Sequence, residues 1–120
     1  MNIEDFHNYC ISKKGVTEAF PFDEDTLVFK VMGKMFALTS LKSWEAGDHS
    51  VNLKCDPEWA LELREQYESV QPGYHMSKVH WNTVHISNGE LDEKLIRQLI
   101  DHSYILVVNS LPKKLKDELL

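Results

Sequence analysis

Two β-rich segments joined by a two-residue connection constrain the fold of this chain more than any other feature. Thr26 to Val31 and Lys34 to Ser40 are rich in β-forming residues, and only Met32-Gly33 separates them. Such an arrangement predicts a β-hairpin. The apolar positions of the first segment that share one face are Leu27, Phe29 and Val31. We therefore expect an antiparallel sheet with a buried face.

Helical patterns surround this hairpin. Asn2 followed by Asp5 resembles a helix cap, and apolar residues then recur at helical spacing. Asp56-Pro57-Glu58 predicts a second helix start, because aspartate caps the amide end and proline lacks an amide that would go unpaired there. Asp92 caps the clearest helical stripe in the chain, and a short last helix is predicted after Ser110.

The remaining segments complete the predicted order. We expect extended chain over Ala19–Phe22 and Lys78–Ile86, a third strand over Val51–Lys54, and loops or turns over Asp23–Asp25, Ser43–Ser50 and Gln71–Gly73. A helix, three or four strands, a helix, a strand and two helices indicate an α+β fold, with an antiparallel sheet and helices packed on one face. We predict a single domain over residues 1–120.

Composition excludes several classes of protein. The formal net charge is -6, and no stretch approaches the ~20 apolar residues that a bilayer helix needs. Glu4, Asp5 and His7 stand where a secretory leader would have its apolar core, so we expect a cytoplasmic protein without a membrane partner. Cys10 and Cys55 lack the paired spacing of zinc and redox motifs, and we expect both to be reduced packing residues.

Motifs for cofactor chemistry are missing from the sequence. The five glycines are scattered, and they form neither a P-loop nor a dinucleotide-binding pattern. Neither a nucleophile elbow nor a zinc-protease helix is present. Asp23-Glu24-Asp25 lacks the spacing of a calcium loop and is expected to be a solvated turn. We therefore predict no cofactor and no metal, and a function that needs no catalysis.

One segment differs from the rest of the chain in composition. Residues 69–89 contain no carboxylate, although the chain carries 19 Asp and Glu residues. Its candidate binding residues are Tyr74, His75, Lys78, His80 and Trp81. Because cations meet phosphates and aromatic rings stack on bases, this composition suits an anionic or nucleic-acid partner. The alternative is a loop and strand built around an aromatic anchor, in which Trp81 is a core residue.

Lysines of the last helix form the second candidate. Lys113, Lys114 and Lys116 either make up a solvated helix face or follow a phosphate backbone together with Lys78. Four phosphate contacts would give a logarithmic salt slope of about -3.6, against roughly -10 for a strong DNA binder. Residues 1–70 hold seven basic and thirteen acidic side chains, so any affinity for anions is expected in the C-terminal half.

Several blocks of residues together resemble a known family. They are Phe20–Phe22, Phe29–Val31, Gly33–Phe36, Leu53–Pro57, Pro72–Lys78, His80–Val84, His102–Tyr104, Leu106–Val108 and Leu111–Lys114. They are similar to the MmcQ/YjbR family of small bacterial proteins. The resemblance implies a CyaY-like fold, which is an antiparallel sheet with helices packed on it. It also implies DNA binding, because the family is commonly labelled DNA-binding. It implies no iron site, because a shared fold does not carry function with it.

Three functions follow from these patterns as hypotheses. The leading one is nucleic-acid binding by the carboxylate-free segment and the last lysines, with DNA as the partner that the family label implies. The alternative is a protein-protein or small-ligand module whose pocket is lined by Tyr74, His75, His80 and Trp81. The third is an enzyme that uses His75 or His85 as a general acid or base, because histidine titrates near neutral pH.

Overall fold

The computed structural model describes residues 1–119. Within them the chain forms five helices and six strands. The helices are α1 (Ile3–Ile11), α2 (Leu41–Glu45), α3 (Pro57–Gln66), α4 (Glu93–Ser110) and α5 (Lys113–Glu118), and the strands are β1 (Val16–Ala19), β2 (Thr26–Val31), β3 (Lys34–Ser40), β4 (Ser50–Lys54), β5 (Val70–Pro72) and β6 (Trp81–His85). No helix in this part of the chain has the length and apolar character needed to cross a bilayer.

The six strands form one sheet in the order β1-β2-β3-β4-β6-β5, and every neighbouring pair is antiparallel. The predicted hairpin is confirmed, since β2 and β3 pair directly and Val31 lies opposite Lys34. Met32 and Gly33 between them both have positive φ, 48° and 87°, as a two-residue hairpin turn requires. The α+β prediction is therefore confirmed.

The two faces of the sheet differ in what covers them. The main core lies on one face and combines strand residues such as Phe29 and Leu53 with buried side chains from α1, α2, α3 and α4. On the opposite face, the residues that the structure describes form a small cluster of Val28, Leu38 and Trp81, to which none of the five described helices contributes. We call this opposite side the open face. Helices packed on one face, as predicted, leave the other face free to form a site.

Element boundaries differ from the sequence-based expectation at both edges of the sheet. β1 occupies residues 16–19 where extended chain was expected from residue 19, and β5 includes part of the expected turn. α2 begins before the expected loop and overlaps its first three residues, and β6 begins only at Trp81. The edge strands have a single partner each and little buried surface, so their apolar alternation is weak. Pro72 fits the edge strand β5 because an edge position needs no amide for a second neighbour.

A bulge in β3 is bridged by a side chain from α4. The pairing of β2 with β3 shifts at Phe29, so that Phe36 is the extra residue. The buried Ser103 hydroxyl donates to the Phe36 carbonyl at 2.5 Å and accepts from the Lys54 amide at 2.8 Å. One hydroxyl therefore pairs two backbone groups that the bulge separates, and it fixes α4 against the centre of the sheet.

Cys10 and Cys55 are both buried, unpaired thiols, as predicted for packing residues. Cys10 belongs to the buried face of α1. Burial raises the pKa of each thiol to about 12, because a thiolate loses its hydration in an apolar environment. Neither thiol is therefore poised for nucleophilic or redox chemistry.

Candidate ligand groove on the open face

Strand alternation places a row of polar side chains on the open face. Val51 and Leu53 point into the main core, so their neighbours Ser50 and Asn52 point the other way. β6 follows the same rule, with Val84 in the core and the residues on either side of it on the open face. The polar open-face positions that result are Thr26, Ser40, Ser50, Asn52, Gln71, Thr83 and His85.

A groove of about 750 Å³ lies over these positions. We call it the open-face groove. Besides the polar strand residues, its lining includes Phe22, Met35, Leu38, Asp48, Tyr74, His75 and Met76. The floor is thus polar at the end formed by the start of β2 and the end of β3, and apolar toward the cluster around Trp81.

Residues 73–80 form one wall of the groove, and we call them the wall loop. The Gly73 amide donates to the Trp81 carbonyl at 2.8 Å. A Cβ at position 73 would lie 2.8 Å from the Trp81 Cβ and 2.9 Å from its carbonyl oxygen. Only glycine allows this close approach of loop and strand. The wall loop therefore leaves the sheet at a fixed point, directly beside the groove.

Hydrogen bonds link the wall loop to the groove floor. The Tyr74 amide donates to the Thr83 hydroxyl at 3.0 Å, and that hydroxyl donates to the Asn52 side-chain oxygen at 2.5 Å. The Lys78 ammonium donates to the Gly73 carbonyl at 3.2 Å. The first two contacts hold the start of the loop against β6 and β4, and the third joins two residues within the loop.

Tyr74 and His75 present their rings at this wall. Their ring centroids lie 4.0 Å apart, and Tyr74 is 70 % exposed. His75 has a φ of 58°, a left-handed conformation that costs free energy for a residue with a side chain. Such strained residues persist where the surrounding contacts hold them, and they cluster at functional sites.

Arg64 of α3 fixes the far end of the wall loop. Its Nε donates to the Asn82 side-chain oxygen at 2.7 Å, and its guanidinium also donates to the carbonyls of Trp81, at 3.2 Å, and Lys78. The Asn82 side chain is buried. One side chain from the helix-covered side thus satisfies three acceptors around the point where the loop rejoins the sheet.

A histidine and a carboxylate form a pair at the polar end of the groove. The Nδ1 atom of His85 lies 2.9 Å from an Asp48 carboxylate oxygen. Asp48 is the one acidic residue among the groove-lining residues of the described chain, and neither lysine nor arginine is among them. The groove therefore combines hydroxyls, amides, two imidazoles and one carboxylate with an aromatic and thioether side.

Comparisons with known proteins give the family. The family model for YjbR matches residues 11–106. The chain is 36% identical over 114 residues to the Escherichia coli protein YjbR, an alignment that covers 95% of this chain and 93% of the relative. The chain belongs to the YjbR family. This YjbR-family chain is also 42% identical over 95 residues to Escherichia coli YbdF, with 79% of this chain and 75% of the relative covered. Both relatives are described only as uncharacterized proteins.

Solved structures share the fold of this YjbR-family protein. The crystal structure of a Deinococcus radiodurans protein of domain family DUF419 matches it with a TM-score of 0.86 and 36% sequence identity, over 98% of this chain and 87% of the other. A Pseudomonas syringae crystal structure matches with a TM-score of 0.72 and 30% identity, over 88% of this chain and 98% of the other. The six-stranded antiparallel sheet with helices is thus the fold of this family.

Of the residues predicted to bind a ligand in this YjbR-family chain, Tyr74 and His75 line the groove together. Trp81 is 8 % exposed and lies in the small core cluster of the open face, which agrees with the anchor interpretation. Lys78 and His80 are exposed on the wall loop, outside the groove lining. The structure therefore brings together only part of the predicted set.

The lysines of α5 lie elsewhere in the YjbR-family fold. Lys113 pairs with Asp117 at 2.9 Å on the same helix, and Lys114 is exposed beside it. Leu119, directly after α5, packs against the main core next to Gly15 and Met32, close to the β2–β3 hairpin. The polar end of the groove is at the other end of those strands. The structure does not bring these lysines into the groove.

Sequence reasoning missed the floor and one end of the groove in this YjbR-family chain. Asn52 and Asp48 belong to no recognised motif, and Thr83 lies in the family block His80–Val84 but was not among the predicted binding residues. A signal existed for Asn52 and Thr83, because polar residues alternate with apolar ones along β4 and β6. Asp48 lies in a loop, and only the tertiary fold places it beside His85.

Proposed function

We propose that this YjbR-family protein binds a small organic ligand in the open-face groove. The observation that carries the proposal is the groove itself. Its volume of about 750 Å³ lies within the ~300–1,000 Å³ of small-molecule sites. Such sites are largely apolar with a few placed polar groups. This description fits a floor of Leu38 and Met35 flanked by Asn52 and Thr83.

The wall loop supports the proposal further. Tyr74 exposes most of its ring at the groove although it is a large aromatic residue. His75 beside it holds a costly backbone conformation. The Thr83 and Asn52 contacts position the backbone below these rings. A preorganised aromatic wall over a polar floor reduces the entropy lost when a ligand is bound.

The nucleic-acid hypothesis stays a prediction. Neither lysine nor arginine is among the groove-lining residues of the described chain, and Lys113 is already paired with Asp117. The net charge of -6 opposes a polyanion in general. The enzyme hypothesis also stays a prediction. Its candidates His75 and His85 both line the groove, so it concerns the same site.

A fragment screen by NMR tests the proposal. Amide and side-chain signals of the protein are followed while small aromatic fragments are added. We expect binders that shift the signals of Asn52, Tyr74 and Thr83. The variant Ser50→Phe places a ring on the groove floor at β4, narrows the groove and should weaken binding. The matched control Thr17→Phe adds the same ring to the exposed edge strand β1, outside the groove lining, and should leave binding unchanged.

Two results would contradict the proposal. The first is a screen in which no fragment shifts the groove signals. The second is binding that persists unchanged in Ser50→Phe, because a ring placed on the groove floor narrows the groove and changes the surface that the ligand contacts. Thermal unfolding of both variants confirms that each remains folded before the comparison is made.

A further inference from the structure

The polar end of the open-face groove lies in a strongly acidic region. Beyond Ser40 and Ser43 the surface continues into a second depression, lined by Asp23, Glu24, Asp25, Leu41, Lys42 and Glu45. Together with Asp48 in the groove, five carboxylates face one ammonium group in this region. A negative potential over the polar end follows from this excess.

The carboxylates differ in how many partners they already have. Asp25 accepts from the Lys42 amide at 2.7 Å and from the Ser40 hydroxyl at 2.6 Å. Asp23 accepts from the amides of Thr26 and Asp25 at 2.6 and 2.9 Å. These two residues organise the loop and contribute charge. Their oxygens are engaged in holding the chain.

Asp48 is different, because one oxygen remains available. Its Oδ1 atom faces the His85 Nδ1 atom at 2.9 Å. Its Oδ2 atom has no hydrogen-bond partner among residues 1–119, and the side chain is half-exposed in the groove. The pairing with His85 restricts the orientation of the carboxylate. A ligand that enters the groove therefore meets an oriented, free anionic acceptor.

Aromatic rings lie along the same groove. Phe22 is 64 % exposed and Tyr74 is 70 % exposed, and both belong to the lining. Exposed rings stack with a planar ligand and attract a cation to their faces. The thioethers of Met35 and Met76 supply an adaptable apolar surface between them. The groove thus offers an anionic acceptor together with an apolar, aromatic side.

We propose that the open-face groove selects small organic cations with a planar apolar body, such as aromatic amidinium or ammonium compounds. The proposal rests on the proposed function and specifies its ligand class. The cationic head donates to Asp48 Oδ2, and the planar body contacts Tyr74 and Phe22. Anionic ligands of the same shape are rejected, because the acidic end repels them and no lining cation of the described residues compensates.

The test uses three probes of one shape and three charges. Benzamidine, benzamide and benzoate carry a charge of about +1, 0 and -1 at pH 7.5, on nearly the same framework. Titrations followed by protein NMR at low salt give the three dissociation constants. We expect benzamidine to bind roughly tenfold more tightly than benzoate, with benzamide between them. Added salt should weaken the binding of benzamidine and leave the binding of benzamide unchanged.

Two isosteric variants separate the groove acid from general acidity. Asp48→Asn should reduce the affinity for benzamidine roughly fivefold, close to that for benzamide, without changing benzamide binding. Glu62→Gln removes one charge from the exposed side of α3, on the helix-covered side of the sheet, and should change neither. Ser50→Phe should weaken the binding of all three probes.

The outcomes distinguish this inference from the proposed function. Equal affinities for the three probes, or an unaltered preference in Asp48→Asn, overturn the cation selectivity and leave the groove as a binding site. If benzamidine shifts only the signals of residues 23–25 and still binds to Ser50→Phe, it acts as a counterion of the acidic loop. That result also overturns the cation selectivity of the groove. If none of the three binds while other fragments do, the ligand class is wrong. If no fragment binds at all, the proposed function fails as well.

Discussion

Replacement of Ser103 by alanine tests the account of the sheet centre directly. In the folded protein its hydroxyl bridges the Phe36 carbonyl and the Lys54 amide across the bulge in β3. Ser103→Ala removes both contacts and leaves a backbone donor and a backbone acceptor without partners. Phe36 and Ser103 are fully buried, so water does not reach this position from the surface.

The expected loss of stability follows from these two groups. A buried polar group left without a partner costs ~1–3 kcal/mol. Alanine is the better helix former by about 0.5 kcal/mol, and α4 recovers this amount. The two groups together cost ~2–6 kcal/mol, so we expect a net decrease of roughly 2–5 kcal/mol in the free energy of unfolding. For a domain of this size that corresponds to a decrease of about 10 °C in Tm.

Urea unfolding followed by tryptophan fluorescence measures this change, and Ser110→Ala is the matched control. Ser110 lies at the end of the same helix, and its hydroxyl donates only to the Val107 carbonyl one turn earlier. Its replacement should change the free energy of unfolding by less than about 0.5 kcal/mol. A Ser103→Ala variant as stable as Ser110→Ala would refute the role of the bridge.

Two further predictions concern titratable groups. The His102 Nε2 atom accepts from the Asp56 amide at 3.0 Å, and burial, opposed by the Asp56 charge, lowers the pKa of His102 below its usual 6.5. As the pH falls, the unfolded chain therefore takes up the proton first. The stability advantage of the native protein over His102→Gln should be full above pH 6.5 and decline as the pH falls through the lowered pKa. Urea unfolding at pH 7.5, 6 and 5 measures this advantage, and an advantage that grows in acid contradicts the assignment. Burial raises the pKa of Cys10 and Cys55 to about 12. Iodoacetamide at pH 8 should therefore label neither thiol in the folded protein within an hour, and should label both in urea, as measured by mass spectrometry. Rapid labelling of the folded protein would show that the thiols are accessible.

Local signals made much of the fold predictable from the sequence. The Met32-Gly33 turn and the caps at Asn2, Asp56 and Asp92 each act within a few residues, and the structure confirms all of them. Short or marginal elements escaped prediction for the opposite reason. α2 has five residues, and β1 is mostly exposed, so neither carries a periodic apolar pattern.

The wall loop shows where local reasoning ends. Lys78 and its neighbours have the composition of a strand, yet residues 73–80 form turns. The carbonyls of Lys78 and Trp81 accept hydrogen bonds from Arg64 of α3, a partner distant in the sequence. The groove depends on tertiary structure even more. Asp48 and His85 are 37 positions apart, and Asn52 meets Thr83 only through the pairing of β4 with β6.

The Arg64 contacts couple the two sides of the molecule. The guanidinium belongs to a helix on the covered side, while the carbonyls it holds, those of Lys78 and Trp81, lie where the wall loop rejoins the sheet. Because one side chain joins α3 to the end of the wall loop, a displacement of the helix would have to break these hydrogen bonds or carry the end of the loop with it.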